Sequence, residues 1–320
     1  PAEFGADPLG TLAREGSLPC SAAAALAQLG ELALWTARHC PRATVVAVDT
    51  GPYHDAGATA AQDIAYAAAT GVEYLRAMVA AGLSVDDAAK QTTFRFSIGT
   101  HHFLAIAKLR AARRVWGRVI EASGGSDAAG GMRMHAQTSR RVLTQRDPYV
   151  NLLRNTVALF AAGLGGAASI TPIPFDAPSG VPDAFSRRVA RNTLLVLQEE
   201  AHLHRVVDPA GGSWFLDRLT QQLAEKAWTI FQSLERAGGM LAALQSGAVA
   251  AQIDEAFAPR AQDIARRKEG ITGVSEFPDV HEQPVAHVPL DRSKLRESAI
   301  QQAKARRRRP AAAAVSEGPD

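Results

Sequence analysis

The sequence predicts an α/β fold built on a parallel sheet covered by helices, and three observations carry that prediction. Residues 44–48 (Thr-Val-Val-Ala-Val) form a continuous apolar run with β-branched side chains, too short for a helix, which reads as a buried strand. A polar loop and a long helical pattern follow it, and the same strand–loop–helix unit recurs three more times before about residue 205. From residue 206 onward the periodicity is helical only.

Taken in order, residues 1–43 read as a helical lead-in, with an alanine-rich helix over about 21–39 that stops before Pro41. After the first strand comes the loop 49–57, then a helix over about 58–80 with Ile64, Ala68, Val72, Leu75 and Val79 on one face and Gly82 as its stop. The second unit pairs a strand at 93–98 with a helix at about 103–121. The third places a strand at 132–136 and a helix at about 148–162, opened by Asp147 and Pro148. The fourth has a strand at 168–172 and a helix from Pro182 or Asp183 to about His202. Residues 206–276 read as a trailing helical segment, with helices at about 214–236 and 240–268 separated by Gly238-Gly239. Residues 277–320 read as a Pro-rich and then basic disordered tail. Four units are fewer than an eight-stranded barrel needs, so the pattern alone leaves a small open sheet and part of a barrel as alternatives.

Composition narrows the class. With 47% hydrophobic and 21% charged residues, the 320-residue chain has enough apolar surface to repay the entropy of ordering. No apolar run reaches the length of a membrane helix, and no secretory leader opens the sequence, so a cytoplasmic protein is expected. Cys20 and Cys40 match no metal or disulfide pattern. The net charge of +3 is local: residues 291–309 hold eight Lys/Arg against two acids, and the chain before them is close to neutral. Because no aromatic side chains interleave with Arg306–Arg309, no nucleic-acid partner is expected.

In parallel α/β folds chemistry gathers where strands run out into loops. That rule selects Tyr53 and His54 after the first strand, Arg95 and His101-His102 at the second, Arg133, His135 and Gln137 at the third, and Thr171 at the fourth. Histidine can donate to a carbonyl or move a proton near neutral pH, and arginine can hold phosphate or carboxylate groups. Such a set suits a phosphate-bearing substrate with a polarised carbonyl. Chain order alone supports no Ser-His-Asp or Cys-His triad, and the glycine-rich segments 163–166 and 210–212 fit no phosphate-binding motif.

Five segments occur together in one order: 48–59 (VDTGPYHDAGAT), 106–113 (IAKLRAAR), 135–139 (HAQTS), 188–193 (RVARNT) and 208–214 (DPAGGSW). As a set they resemble the methylmalonyl-CoA mutases. The resemblance implies the C-terminal half of a substrate-binding (β/α)8 TIM-type barrel followed by additional helices. It also implies a radical isomerisation of methylmalonyl-CoA and succinyl-CoA that uses adenosylcobalamin. In catalytic members the matching Tyr-His pair contacts substrate and the histidine hydrogen-bonds the thioester carbonyl, which points to Tyr53 and His54. Arg133 matches a basic position associated with CoA binding, and His135 and Gln137 at the same strand end join it as substrate-binding candidates.

Departures from the family pattern shift the expectation. Residues 168–173 (ASITPI) stand where catalytic members carry polar residues against the corrin, and Thr138-Ser139 is followed by Arg140-Arg141 rather than Gly-Trp. Residues 171–176 (TPIPFD) and 274–278 (VSEFP) resemble the small subunit of heterodimeric bacterial mutases. The leading expectation is therefore a non-catalytic small subunit that binds no cofactor or metal itself and pairs with a large catalytic subunit acting on acyl-CoA. A catalytic acyl-CoA mutase using His54 and Tyr53, and a scaffold binding CoA esters or a partner without chemistry, are the alternatives. A half-barrel would also leave open sheet edges and an uncovered apolar face.

Overall fold

The computed structural model describes residues 2–283 and 292–307. Its centre is one sheet of five parallel strands: β1 (Ala2–Ala6), β2 (Ala43–Asp49), β3 (Thr92–Ile98), β4 (Met134–Thr138) and β5 (Ser169–Thr171). Each strand pairs with the next in sequence, so the order is β1-β2-β3-β4-β5. Parallel crossovers are right-handed, and an order that never reverses lays every connecting helix on the same face. The sheet curls accordingly, an α/β arrangement consistent with part of a TIM-type barrel.

The first half supplies α1 (Pro8–Glu15), α2 (Ala22–His39), α3 (Gly51–Ala56), α4 (Ala60–Ala80) and α5 (Val85–Lys90). Then come α6 (His102–Ala122), α7 (Val150–Leu164) and α8 (Ala184–Leu195), the last continued by a π-helical turn at Val196–Glu200. The trailing part is α9 (Trp214–Arg236), α10 (Gly239–Gln245) and α11 (Ala248–Ala265), with α12 (Arg292–Arg307) separate in sequence. Helix α4 is buried nearly all round, because α2, α6 and α9 pack on it in addition to the sheet. Its small residues Ala65, Ala67, Ala68 and Ala69 permit that closeness. The core between sheet and helices is sealed by Phe94 against Trp116, rings 4.7 Å apart and edge to face.

Several elements depart from the sequence reading. Residues 1–43 were expected to be helical, yet Ala2–Ala6 is a fifth strand at the sheet edge, a short half-exposed segment with no apolar alternation. The third strand lies two residues later than its hydrophobic pattern suggests. Loop 49–57 contains the single-turn helix α3, and α5 fills the α4–β3 connection. Asp147 does not cap α7: it sits at φ 44°, and the helix starts at Val150. The stretch read as one helix over 240–268 is broken after Gln245, where Gly247 takes φ 76°. Within the expected disordered tail, residues 292–307 are helical, while residues 284–291 and 308–320 lie outside the described set.

The sheet face away from the helices was expected to be apolar. Along β3, Phe94, Phe96 and Ile98 are buried under the helices, while the alternate residues Arg95 and Ser97 point the other way. Register then places His135 beside Arg95 and Ser169, and Gln137 beside Ser97 and Thr171. From β3 to β5 the uncovered face is polar.

Candidate functional site

The site grows from the ends of β2, β3 and β4. Beyond β2, Asp49 Oδ1 accepts from the Gly51 amide at 2.8 Å, Pro52 opens α3, and Gly57 closes it at φ 126°. Gly57 is required twice over, since a Cβ there would also lie 2.8 Å from Phe257 of α11. The next helix, α4, is fixed by a reciprocal capping box between Thr59 and Gln62, which sets Asp63 in its first turn facing His54.

His54 Nδ1 is 2.8 Å from Asp63 Oδ2, and His54 Nε2 is 2.8 Å from Ser139 Oγ. Ser139 leaves β4 with its amide donating to the Ile98 carbonyl at 2.8 Å, so β3 holds it in place. Lys108 of α6, itself buried, donates to Asp63 Oδ2 and to the Ser97 carbonyl at 3.1 Å. Arg141 donates through Nη1 to the carbonyls of His54 (2.9 Å) and Ala58 (3.1 Å). These groups wall a cavity of about 360 Å³, roofed by α11 through Ala256 and Arg260, with Arg260 held bidentately by Glu269.

Electrostatics fix the protonation. Burial alone would raise the Asp63 carboxyl, but Lys108 and then His54 outweigh it and hold it below the usual carboxylate range. For His54 burial dominates and pushes it below an ordinary histidine. Asp63 pulls the other way, while the positive charges of Lys108 and Arg141 add to the depression. His54 is thus neutral near pH 7. A carboxylate can only accept, so the ring proton sits on Nδ1 toward Asp63, and Nε2 accepts from the Ser139 hydroxyl. Asp63 Oδ1 is buried with no hydrogen-bond partner among the described residues, and Asp63 lines the cavity.

Of the residues singled out from the sequence, His54 and His101 line this cavity. The neighbour of His54, Tyr53, turns into the core against Tyr66, its hydroxyl buried and its pKa forced upward by burial. His135 and Gln137 belong to the polar sheet face, where His135 Nδ1 meets Ser169 Oγ at 2.8 Å. Arg133 is exposed at the opposite end of β4 from Ser139, roughly 20 Å away by strand rise. Asp63, Lys108, Ser139 and Arg141 were not selected. Asp63 and Lys108 do carry a signal, a charge set inside an apolar helical stripe, but the sequence does not say that the two stripes face each other.

In the segment after β5 two backbone carbonyls are already engaged. Ile173 and Phe175 are buried, and their carbonyls already accept from Asn155 (2.7 Å) and Asn151 (2.8 Å). The intervening positions are Pro172 and Pro174, which have no amide hydrogen.

The family model for methylmalonyl-CoA mutase matches residues 2–318. This chain belongs to the methylmalonyl-CoA mutase family. It is 53% identical over 89% of its length to a protein of Streptomyces virginiae named methylmalonyl-CoA mutase small subunit, covering 46% of that protein. A small subunit of the same name from Propionibacterium freudenreichii subsp. shermanii is 41% identical over 90% of this chain and 44% of its own. The Rhizobium meliloti protein named simply methylmalonyl-CoA mutase is 38% identical over 86% of this chain and 39% of its own. The chain thus spans less than half the length of these mutase relatives. Among its described residues no helix is long and apolar enough to cross a membrane.

Proposed function

We propose that this chain is part of the non-catalytic small subunit of a methylmalonyl-CoA mutase, an isomerase. It would contribute the C-terminal half of a (β/α)8 barrel with its trailing helices and support a large catalytic subunit in the cytoplasm. The observation that carries the reading is the pair of contacts that occupy both ring nitrogens of His54. Hydrogen-bonding a thioester carbonyl requires a donating Nε2–H, whereas Asp63 takes the ring proton at Nδ1 and Ser139 occupies Nε2 as a donor. A donating Nε2 would need the imidazolium, which burial disfavours. Tyr53, turned into the core, adds nothing to the catalytic alternative. The higher identity to proteins named small subunit supports the same assignment.

On this reading adenosylcobalamin, which supplies radical chemistry when bound, belongs to the partner, and the acyl-CoA is processed there. The polar sheet face with Arg133, His135 and Gln137 would line the barrel interior beside a CoA ester. Co-expression with a catalytic mutase subunit tests the proposal. The full-length protein containing this chain is expected to be retained stoichiometrically, with all cobalamin absorbance following the other chain. Stoichiometric adenosylcobalamin binding by this polypeptide without a partner would overturn it.

A further inference from the structure

The arrangement that unsuits His54 for carbonyl donation suits it for a different task. Ser139 Oγ, His54 and Asp63 are joined in the order nucleophile, base and orienting carboxylate, with both links at 2.8 Å. Chain order gave no hint of this, because the three residues come from the loop after β4, from α3 and from α4. We propose that Ser139 is an acyl-accepting nucleophile with His54 as its general base, giving this chain a hydrolytic activity toward short-chain acyl esters or thioesters. This stands apart from the mutase-subunit assignment and does not depend on it.

Several features of the geometry suit such a site. Ser139 is fully buried but stands in the wall of the cavity of about 360 Å³, so a small displacement of that wall has to open its Oγ to a substrate. Ile98, Leu104, Ala105 and Val142 give the same cavity an apolar wall for a short acyl chain. Asp63, fully buried and paired with Lys108, is the positioning residue that keeps the proton on Nδ1 and leaves Nε2 free to take one. The Lys108 and Arg141 cations beside the cavity favour the negative charge that develops on the carbonyl oxygen.

The step balances without an oxidant or a metal. Ser139 Oγ bonds to the acyl carbon while its proton passes to His54 Nε2. The bond from that carbon to sulfur or oxygen then breaks, and the leaving group takes the proton. Water adds to the acyl-serine with His54 again accepting and returning a proton, and the free acid departs.

The test uses the full-length protein. A fluorophosphonate probe followed by peptide mass spectrometry is expected to place a covalent adduct on Ser139. p-Nitrophenyl butyrate and the butyryl thioester of N-acetylcysteamine report which leaving group is accepted. Hydrolysis should be abolished in Ser139→Ala and fall on the order of 100-fold or more in His54→Gln. Its pH profile should rise with loss of the His54 proton, at a midpoint below that of a free histidine, and Asp63→Asn should shift that midpoint. The groups facing His54 are Asp63, Lys108 and Arg141, with Asp55 on its own helix and His101, Arg260 and Glu269 around the cavity. An unlabelled Ser139 in the wild-type protein overturns the proposal whatever the folding of the variants, as does equal hydrolysis by Ser139→Ala.

Discussion

Lys108 is a cation with almost no water around it, tolerated because Asp63, the Ser97 carbonyl and the Phe96 ring surround it. Removing one member of a buried ion pair leaves the other charge uncompensated, which costs more than the pair contributes. Lys108→Met is therefore expected to destabilise the protein by about 3–5 kcal/mol, read from denaturant unfolding. Adding Asp63→Leu should restore much of that loss, since two apolar side chains leave no orphan charge. Equal stability of the single and double variants would contradict this account. At this scale the sequence exposed the types of residue but not their pairing. His54 was visible because it follows a strand. Asp63 and Lys108, 45 positions apart in two helices, looked like ordinary interruptions of apolar stripes.

Among the elements, α4 and α6 cross where Gly71 faces Trp116. Alanine would favour the helix by about 1 kcal/mol, which argues for replacing the glycine. A Cβ at Gly71, however, would lie 2.7 Å from Trp116 and 3.2 Å from Phe94, both rigid and fully buried. Overpacking of that kind costs about 1–3 kcal/mol. Gly71→Ala is accordingly expected to lower the melting temperature, and a rise would show that the crossing has slack. Element types were readable wherever apolar periodicity was long, as in α4, α6 and α9. They were misread where a few residues decided the matter. The first strand has no alternating pattern, Asp147 adopts a left-handed conformation that its sequence does not announce, and Gly247 interrupts α10–α11 in a run of good helix formers.

Over the whole molecule, the described sheet ends in two edge strands, β1 and β5, each paired on one side only. Large apolar side chains are also open to water around the start of α9: Val207 at 96% exposure, Trp214 at 90%, and Phe215 edge to face with the exposed Phe103. Unpaired backbone edges and apolar patches of this kind recruit other chains. Residues 1–320 by themselves are expected to self-associate at micromolar concentrations in sedimentation velocity. A monodisperse monomer with one sharp thermal transition would count against it. The polar inner face changes the reason for that expectation: association should run through edges and the α9 patch, not through the concave surface.

What the sequence determined by itself is the alternation of strands and helices, the parallel sheet and, through five ordered segments, the family. These rest on local periodicity and on residues adjacent in the chain. The tertiary structure alone decided that the order of strands never reverses and that the concave face is polar from β3 to β5. It also decided that Tyr53 and His54 part company, and that Ser139 and Asp63 close on the two nitrogens of one imidazole. Those outcomes depend on how elements far apart in sequence are laid side by side, and the direction in which a single side chain turns is set by that packing.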